Sequence, residues 1–173
     1  MFSRRRSHRL VLLAASACLV LVSGAAAANP GEFSAASTPT HVKPSTAAGY
    51  TITLTSSATS EKEADRAKIG IPPGFGVDGA TLQATTTAAG ACVASAWVAD
   101  GTLVADGKIN LKRPDANPNQ TNNRLCPGGT LTVAFSATSS AADGSYSWAT
   151  ELFRGVDPFL LTGSQPSIQV DGT

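Results

Sequence analysis

The residues able to do chemistry in this chain are few, and their spacing supports very little of it. A serine or cysteine nucleophile needs an imidazole held within hydrogen-bonding reach. Of the two histidines, His8 belongs to an amino-terminal basic segment and His41 to a stretch rich in Ala, Ser, Thr and Pro. Histidine-dependent catalysis is therefore not expected. Glu61, Glu63 and Asp65 cluster, but Lys62 and Arg66 interleave with them, which reads as a solvated mixed-charge segment. Glycoside hydrolysis needs two carboxylates facing across a cleft. Glu151 follows the aromatic residues Tyr146 and Trp148, but it has no obvious second acid and pairs more naturally with Arg154. Five Asp-Gly pairs begin at Asp78, Asp100, Asp106, Asp143 and Asp171. They offer oxygens to calcium, yet without an Asp-x-Asp-x-Asp spacing they read as turns. No cofactor and no metal are expected, and the chain is read as non-catalytic.

The sulfur chemistry is clearer. Cys18 lies in the apolar run from Leu10 to Val22, which follows a basic start (Arg4, Arg5, Arg6, Arg9) and precedes a small-residue stretch ending in Ala27 and Ala28. That order marks residues 1–28 as a secretory signal peptide. Cleavage would leave Cys92 and Cys126, and an even pair in an exported chain reads as one disulfide. Two thiols without histidine partners fall short of a closed zinc site.

Export also changes the charge balance. The chain has 13 Lys plus Arg and 12 Asp plus Glu. Four arginines leave with the signal and no acid does, so nine cations face twelve acids, a net −3. Such a surface has no overall electrostatic footprint for nucleic acid or for an anionic membrane. The expected location is secreted or extracellular, with wall association open, and the expected state is a monomer.

The elements that must position these residues read as short strands. Residues 29–48 lack an apolar period and are expected to be a flexible leader. Residues 49–173 are expected to form one domain. Within it, Tyr50-Thr-Ile-Thr-Leu-Thr55 alternates apolar residues with threonine, the period of a half-buried strand. Alternation recurs at 67–71, 81–87, 92–98, 102–105, 108–112, 130–138, 145–153 and 166–170. Asp106-Gly107 is a two-residue hairpin signal between two of these runs. Ser60 to Arg66 fits either one capped helical turn or a charged loop. Short strands separated by turns, with no long helical period, predict an all-β sandwich or barrel of about 7–9 strands.

Two stretches narrow this further. Ile69-Gly-Ile-Pro-Pro-Gly-Phe75 and Pro127-Gly-Gly-Thr-Leu-Thr-Val-Ala-Phe135, continuing to Asp143-Gly-Ser-Tyr-Ser-Trp148, resemble the strand-and-turn signatures of bacterial immunoglobulin-like surface modules. The signal and the Ala/Thr/Gly-rich body are similar to exported proteins of high-GC actinobacteria. The resemblance implies an antiparallel immunoglobulin-like β-sandwich. The cysteines are only 34 residues apart, with Trp97 five after Cys92, so the disulfide is not expected to be the inter-sheet bridge of antibody domains. It is expected to pin the polar 114–125 loop.

Function is then expected to be binding, to a cell-wall glycan or a protein. Trp97, Tyr146, Trp148, Phe153 and Phe159 are candidates for an exposed aromatic binding face, with core packing as the competing reading. The Phe153–Leu161 connection is the stronger loop candidate. The alternative is a secreted enzyme inhibitor presenting the disulfide-pinned loop, with Arg124-Leu125 as its reactive bond.

Overall fold

The computed structural model describes residues 31–114 and 121–172. The expected signal peptide lies outside them. Alternation of apolar and polar residues, with β-favouring Thr, Val and Ile, produces thirteen strands among the described residues. They are β1 (Glu32–Thr38), β2 (His41–Val42), β3 (Ala47–Ser56), β4 (Arg66–Gly70), β5 (Gly76–Thr86), β6 (Val98–Ala105), β7 (Lys108–Lys112), β8 (Thr130–Thr138), β9 (Gly144–Ser147), β10 (Thr150–Arg154), β11 (Asp157–Pro158), β12 (Leu160–Leu161) and β13 (Ser167–Val170). A first sheet has the order β12-β1-β3-β8-β5, a second β11-β10-β4-β7-β6, and a third, smaller one β2-β13-β9.

The two five-stranded sheets form a sandwich, because each buries every second residue. Tyr50, Ile52, Leu54, Leu131, Val133 and Phe135 come from the first sheet. Ala67, Ile69, Ile109, Leu111 and Leu152 come from the second. At one end of the core, Tyr50 stacks on Phe135 with ring centroids 5.8 Å apart, and Phe75 and Trp148 close over them at 5.3–6.1 Å. Among the described residues no helix is long and apolar enough to cross a membrane.

Several expectations are corrected. The supposed leader is largely built into the fold. β1 pairs antiparallel with β3 from Phe33↔Ser56 to Thr38↔Thr51, and β2 runs parallel to β13. Phe33 is the reason: one large apolar residue anchors a strand whose other side chains are small enough to look like linker. Residues 29 and 30 lie outside the described part. Ser60 caps no helix. Its hydroxyl accepts from the Glu32 N–H at 2.8 Å and donates to the Glu32 carbonyl at 3.0 Å, closing the start of β1.

The 92–98 run is mostly a loop held by side-chain and backbone bonds to β5, and β6 begins only at Val98. The 145–153 run does not stay in one sheet. β9 joins β13, and after a corner at Trp148-Ala149 the chain enters the second sheet as β10. The alternation persists through that corner, with Trp148 and Thr150 both buried.

Candidate functional site

The outward residues of the two sheets differ in kind. On the first sheet they are Ser34, Ala36 and Thr38 from β1, Thr51, Thr53 and Thr55 from β3, and Thr130, Thr132, Ala134 and Ser136 from β8. The pairing lays them in rungs such as Ala36–Thr53–Thr132–Thr85. Across β3 and β8 this face carries no charge and no side chain larger than threonine, while Glu32 on β1 and Asp78 and Gln83 on β5 stand towards its margins.

The second sheet carries the cations. Alternation in β4 turns Arg66 and Lys68 outward, and alternation in β7 turns Lys108, Asn110 and Lys112 outward, while Ala67, Ile69, Ile109 and Leu111 go inward. One rung crosses all five strands, Pro158–Phe153–Arg66–Lys112–Val98. Arg66 and Lys112 are therefore cross-strand neighbours of like charge. Two acids partly balance the face. Arg66 Nε lies 3.6 Å from Asp100 Oδ2, and Lys108 Nζ lies 3.6 Å from Glu151 Oε2. Glu151 is thus engaged with Lys108 on open sheet rather than with Arg154.

Arg154 turns the other way, to Glu63. Glu63 Oε2 accepts from Arg124 Nη1 at 2.9 Å and from Arg154 Nη1 at 3.2 Å. Beside this carboxylate is the Cys92–Cys126 disulfide, with Cα atoms 5.7 Å apart. The Glu63 carboxylate and the two sulfurs lie within 4.8 Å of one another. With both sulfurs bonded to each other and two guanidiniums on Glu63 Oε2, that cluster falls short of the donors a metal site needs.

The β10–β11 hairpin borders two shallow cavities, and a third lies beside them. One of about 320 Å³ is lined by Glu61, Lys62, Glu63, Arg154 and Asp157. A second of about 220 Å³ is lined by Arg66, Lys68, Asp100, Phe153, Gly155 and Val156. A third of about 130 Å³ lies among Asp65, Arg66, Lys112 and Arg113. Gly155, at φ 61°, makes the hairpin turn, and its N–H donates to Asp65 Oδ1 at 2.9 Å. The turn holds Val156 almost fully in solvent, 86% exposed.

Of the two readings open for the aromatics, core packing holds for Trp97, Trp148 and Phe159. Trp148 is completely buried, Trp97 is 5% exposed and Phe159 is 7% exposed. A core built from so much Ala and Thr needs these large side chains to fill it. Tyr146 is half-buried, and its hydroxyl donates at 2.9 Å to the Ala142 carbonyl and shares a 2.9 Å hydrogen bond with the Ser140 hydroxyl, a corner-fixing role. Only Phe153 lies at the cationic face, with Lys68 Nζ 5.4 Å from its ring centroid.

The inhibitor-loop expectation is also corrected. Leu125 is fully buried and exchanges two 2.9 Å backbone bonds with Ala64, while Arg124 is spent on Glu63. A reactive bond must be presented outward, and this one is stitched into the protein. Residues 115–120 of that loop lie outside the described part.

Sequence reasoning missed the cationic face because it counted charge over the chain. The signal was the period-2 spacing itself, Arg66-x-Lys68 and Lys108-x-Asn110-x-Lys112.

No protein-family model matches the chain, and no curated protein matches it by sequence. Solved structures give remote similarities. A putative membrane-anchored protein from Corynebacterium diphtheriae is 12% identical with a TM-score of 0.46, covering 80% of this chain and 35% of that one. This chain thus spans about a third of that protein's length. A non-cellulosomal cohesin from the archaeon Archaeoglobus fulgidus is 9% identical, TM-score 0.47, covering 82% and 91%. The seventh ScaB type I cohesin from Pseudobacteroides cellulosolvens is 10% identical, TM-score 0.43, covering 84% and 94%. Similarities this remote assign no function.

Proposed function

We propose that this chain is an exported, non-catalytic binding module. It acts at or outside the cell surface and engages its partner through the outer face of the second sheet. The observation that carries this reading is the asymmetry between the two outer faces. The first is lined across β3 and β8 by small uncharged side chains that give a partner little to grip, with Glu32, Asp78 and Gln83 only towards its margins. The second concentrates four outward cations, a half-buried aromatic ring, exposed Val98 and Val156, and the cavities around the β10–β11 hairpin. Side chains fixed on paired strands are held more rigidly than side chains on loops, so ligand contact costs less conformational entropy. Cations set among apolar groups also give both attraction and orientation to a docking partner. The disulfide and the signal-like amino terminus support action outside the cytosol. The buried Arg124-Leu125 bond favours this reading over an enzyme inhibitor.

The test uses the exported chain carrying a photo-crosslinking amino acid at Asn110, central on the second sheet, or at Thr53, central on the first. Each is incubated with washed producer cells and with their culture fluid, then irradiated. A discrete adduct from position 110 and none from position 53 is the expected result. Adducts only from position 53, equal adducts from both, or none from either overturn the assignment of this face.

A further inference from the structure

We propose that the cleft between β4 and the β10–β11 hairpin is a recognition pocket for one acidic side chain of a protein partner, an Asp or Glu flanked by apolar residues. The inference rests on the second sheet being the contact face and goes on to state what that face recognises.

The two cations in the cleft are incompletely satisfied. Lys68 has no carboxylate within 4.0 Å among the described residues, and its recorded neighbour is the Phe153 ring at 5.4 Å. Arg66 meets Asp100 only through Nε, and at 3.6 Å that contact is longer than a hydrogen bond. Among the described residues the terminal nitrogens of its guanidinium fork make no hydrogen bond, and they can face a ligand. A fork beside an ammonium suits a carboxylate, which can take two parallel N–H donors from Arg and a point charge from Lys.

Size and surroundings choose the source of that carboxylate. At about 220 Å³ the cleft is smaller than the roughly 300–1,000 Å³ of small-molecule pockets, and it is suited to a single side chain. Asp100 forms one wall and Glu151 lies next to Lys68 across the strands, so acids bracket the cations. Bracketing acids repel a continuous polyanion but tolerate a single carboxylate set between them. Beyond them on the same face, Phe153, Val156, Pro158 and Val98 offer apolar surface to the neighbours of that acid. An extended polypeptide alternating apolar and acidic residues matches this pattern, whereas an anionic wall polymer does not.

The probe is a synthetic peptide, Val-Thr-Val-Glu-Val-Thr-Val, beside its twin with Gln for Glu. Polygalacturonate and polyphosphate serve as polymeric comparators. Binding to the isotope-labelled exported chain is followed by NMR, which reads millimolar affinities. The expected result is shifts at Lys68, Phe153 and Val156 with the Glu peptide, and about tenfold weaker binding of the Gln twin, the scale of a lost charge-assisted pair. Lys68→Gln and Arg66→Gln should each weaken the Glu peptide several-fold, and Asp100→Asn should strengthen it. All three positions face outward, and thermal melts confirm that the variants fold. Equal binding of the two peptides, shifts confined to the first sheet, or no binding overturns the pocket. Stronger binding of either polymer than of the Glu peptide overturns the choice of a polypeptide. Crosslinking from position 110 together with failure of the peptide would leave the face standing and remove only this inference.

Discussion

Tyr50→Phe should stabilise the protein, although it deletes the only polar atom of a ring buried in the core. Tyr50 is 2% exposed, stacked on Phe135 and flanked by Phe75 and Trp148, and its hydroxyl has no protein hydrogen-bond partner. A buried, unpaired polar group costs about 1–3 kcal/mol of desolvation, and phenylalanine keeps the ring and its contacts. A gain of about 1 kcal/mol is expected, or roughly 3–5 °C in Tm for a domain of this size. The pH dependence supplies a second readout. Burial pushes the Tyr50 phenol above its ordinary value. In the unfolded chain it loses its proton near pH 10. Above that pH the native state therefore binds more protons than the unfolded state, and stability falls as pH rises. This alkaline loss is absent below the unfolded value and absent altogether from the Phe variant. Guanidinium melts at pH 7 and pH 11 should show the variant's advantage widening at the higher pH. A variant less stable than the parent at pH 7, or two pH profiles that run parallel to pH 11, would refute the argument.

Two further changes test the scaffold. Replacing both Cys92 and Cys126 by serine opens a loop of 34 residues' separation and should cost about 3–4 kcal/mol in the chain-entropy view, read from denaturant midpoints with a constant slope. Gly31→Ala should cost about 1–3 kcal/mol, because the added methyl would fall inside the Phe159 ring while the Gly31 carbonyl is held by the Leu160 N–H at 2.8 Å. Gly49→Ala is its control: nothing lies within 4 Å of the new atom, and no loss is expected.

Much of the fold was legible in the chain because its strands alternate. Residues 50–55, 67–71, 108–112 and 130–138 were placed by pattern alone, since period two is a direct consequence of burying one face. What pattern could not supply was sheet membership. The run through Trp148 keeps one alternation while leaving the third sheet for the second, a change made by the backbone and invisible in residue order. β1 was missed for a different reason. Its only large apolar residue is Phe33, and its other side chains are Ser, Ala, Thr and Glu, a composition shared with linkers. The strand exists because β3 offers it a partner edge, which is a tertiary fact.

The candidate site shows where whole-chain averages mislead. A net −3 for residues 29–173 argues against a polyanion-binding surface, yet four of the nine cations in that stretch face outward on two adjacent strands. Electrostatic attraction falls off within about a Debye length of 8 Å at physiological salt, so a docking partner responds to the local arrangement and not to the sum. The acids that lower the total are also not placed at random. Glu63 is consumed by Arg124 and Arg154 near the disulfide, Asp65 holds the hairpin turn, and Asp100 and Glu151 border the cationic cleft. The first two fix the hairpin that forms one wall. The last two limit how much negative charge the cleft will accept. Selectivity for a single carboxylate would then follow from the same acids that hide the site from a charge count.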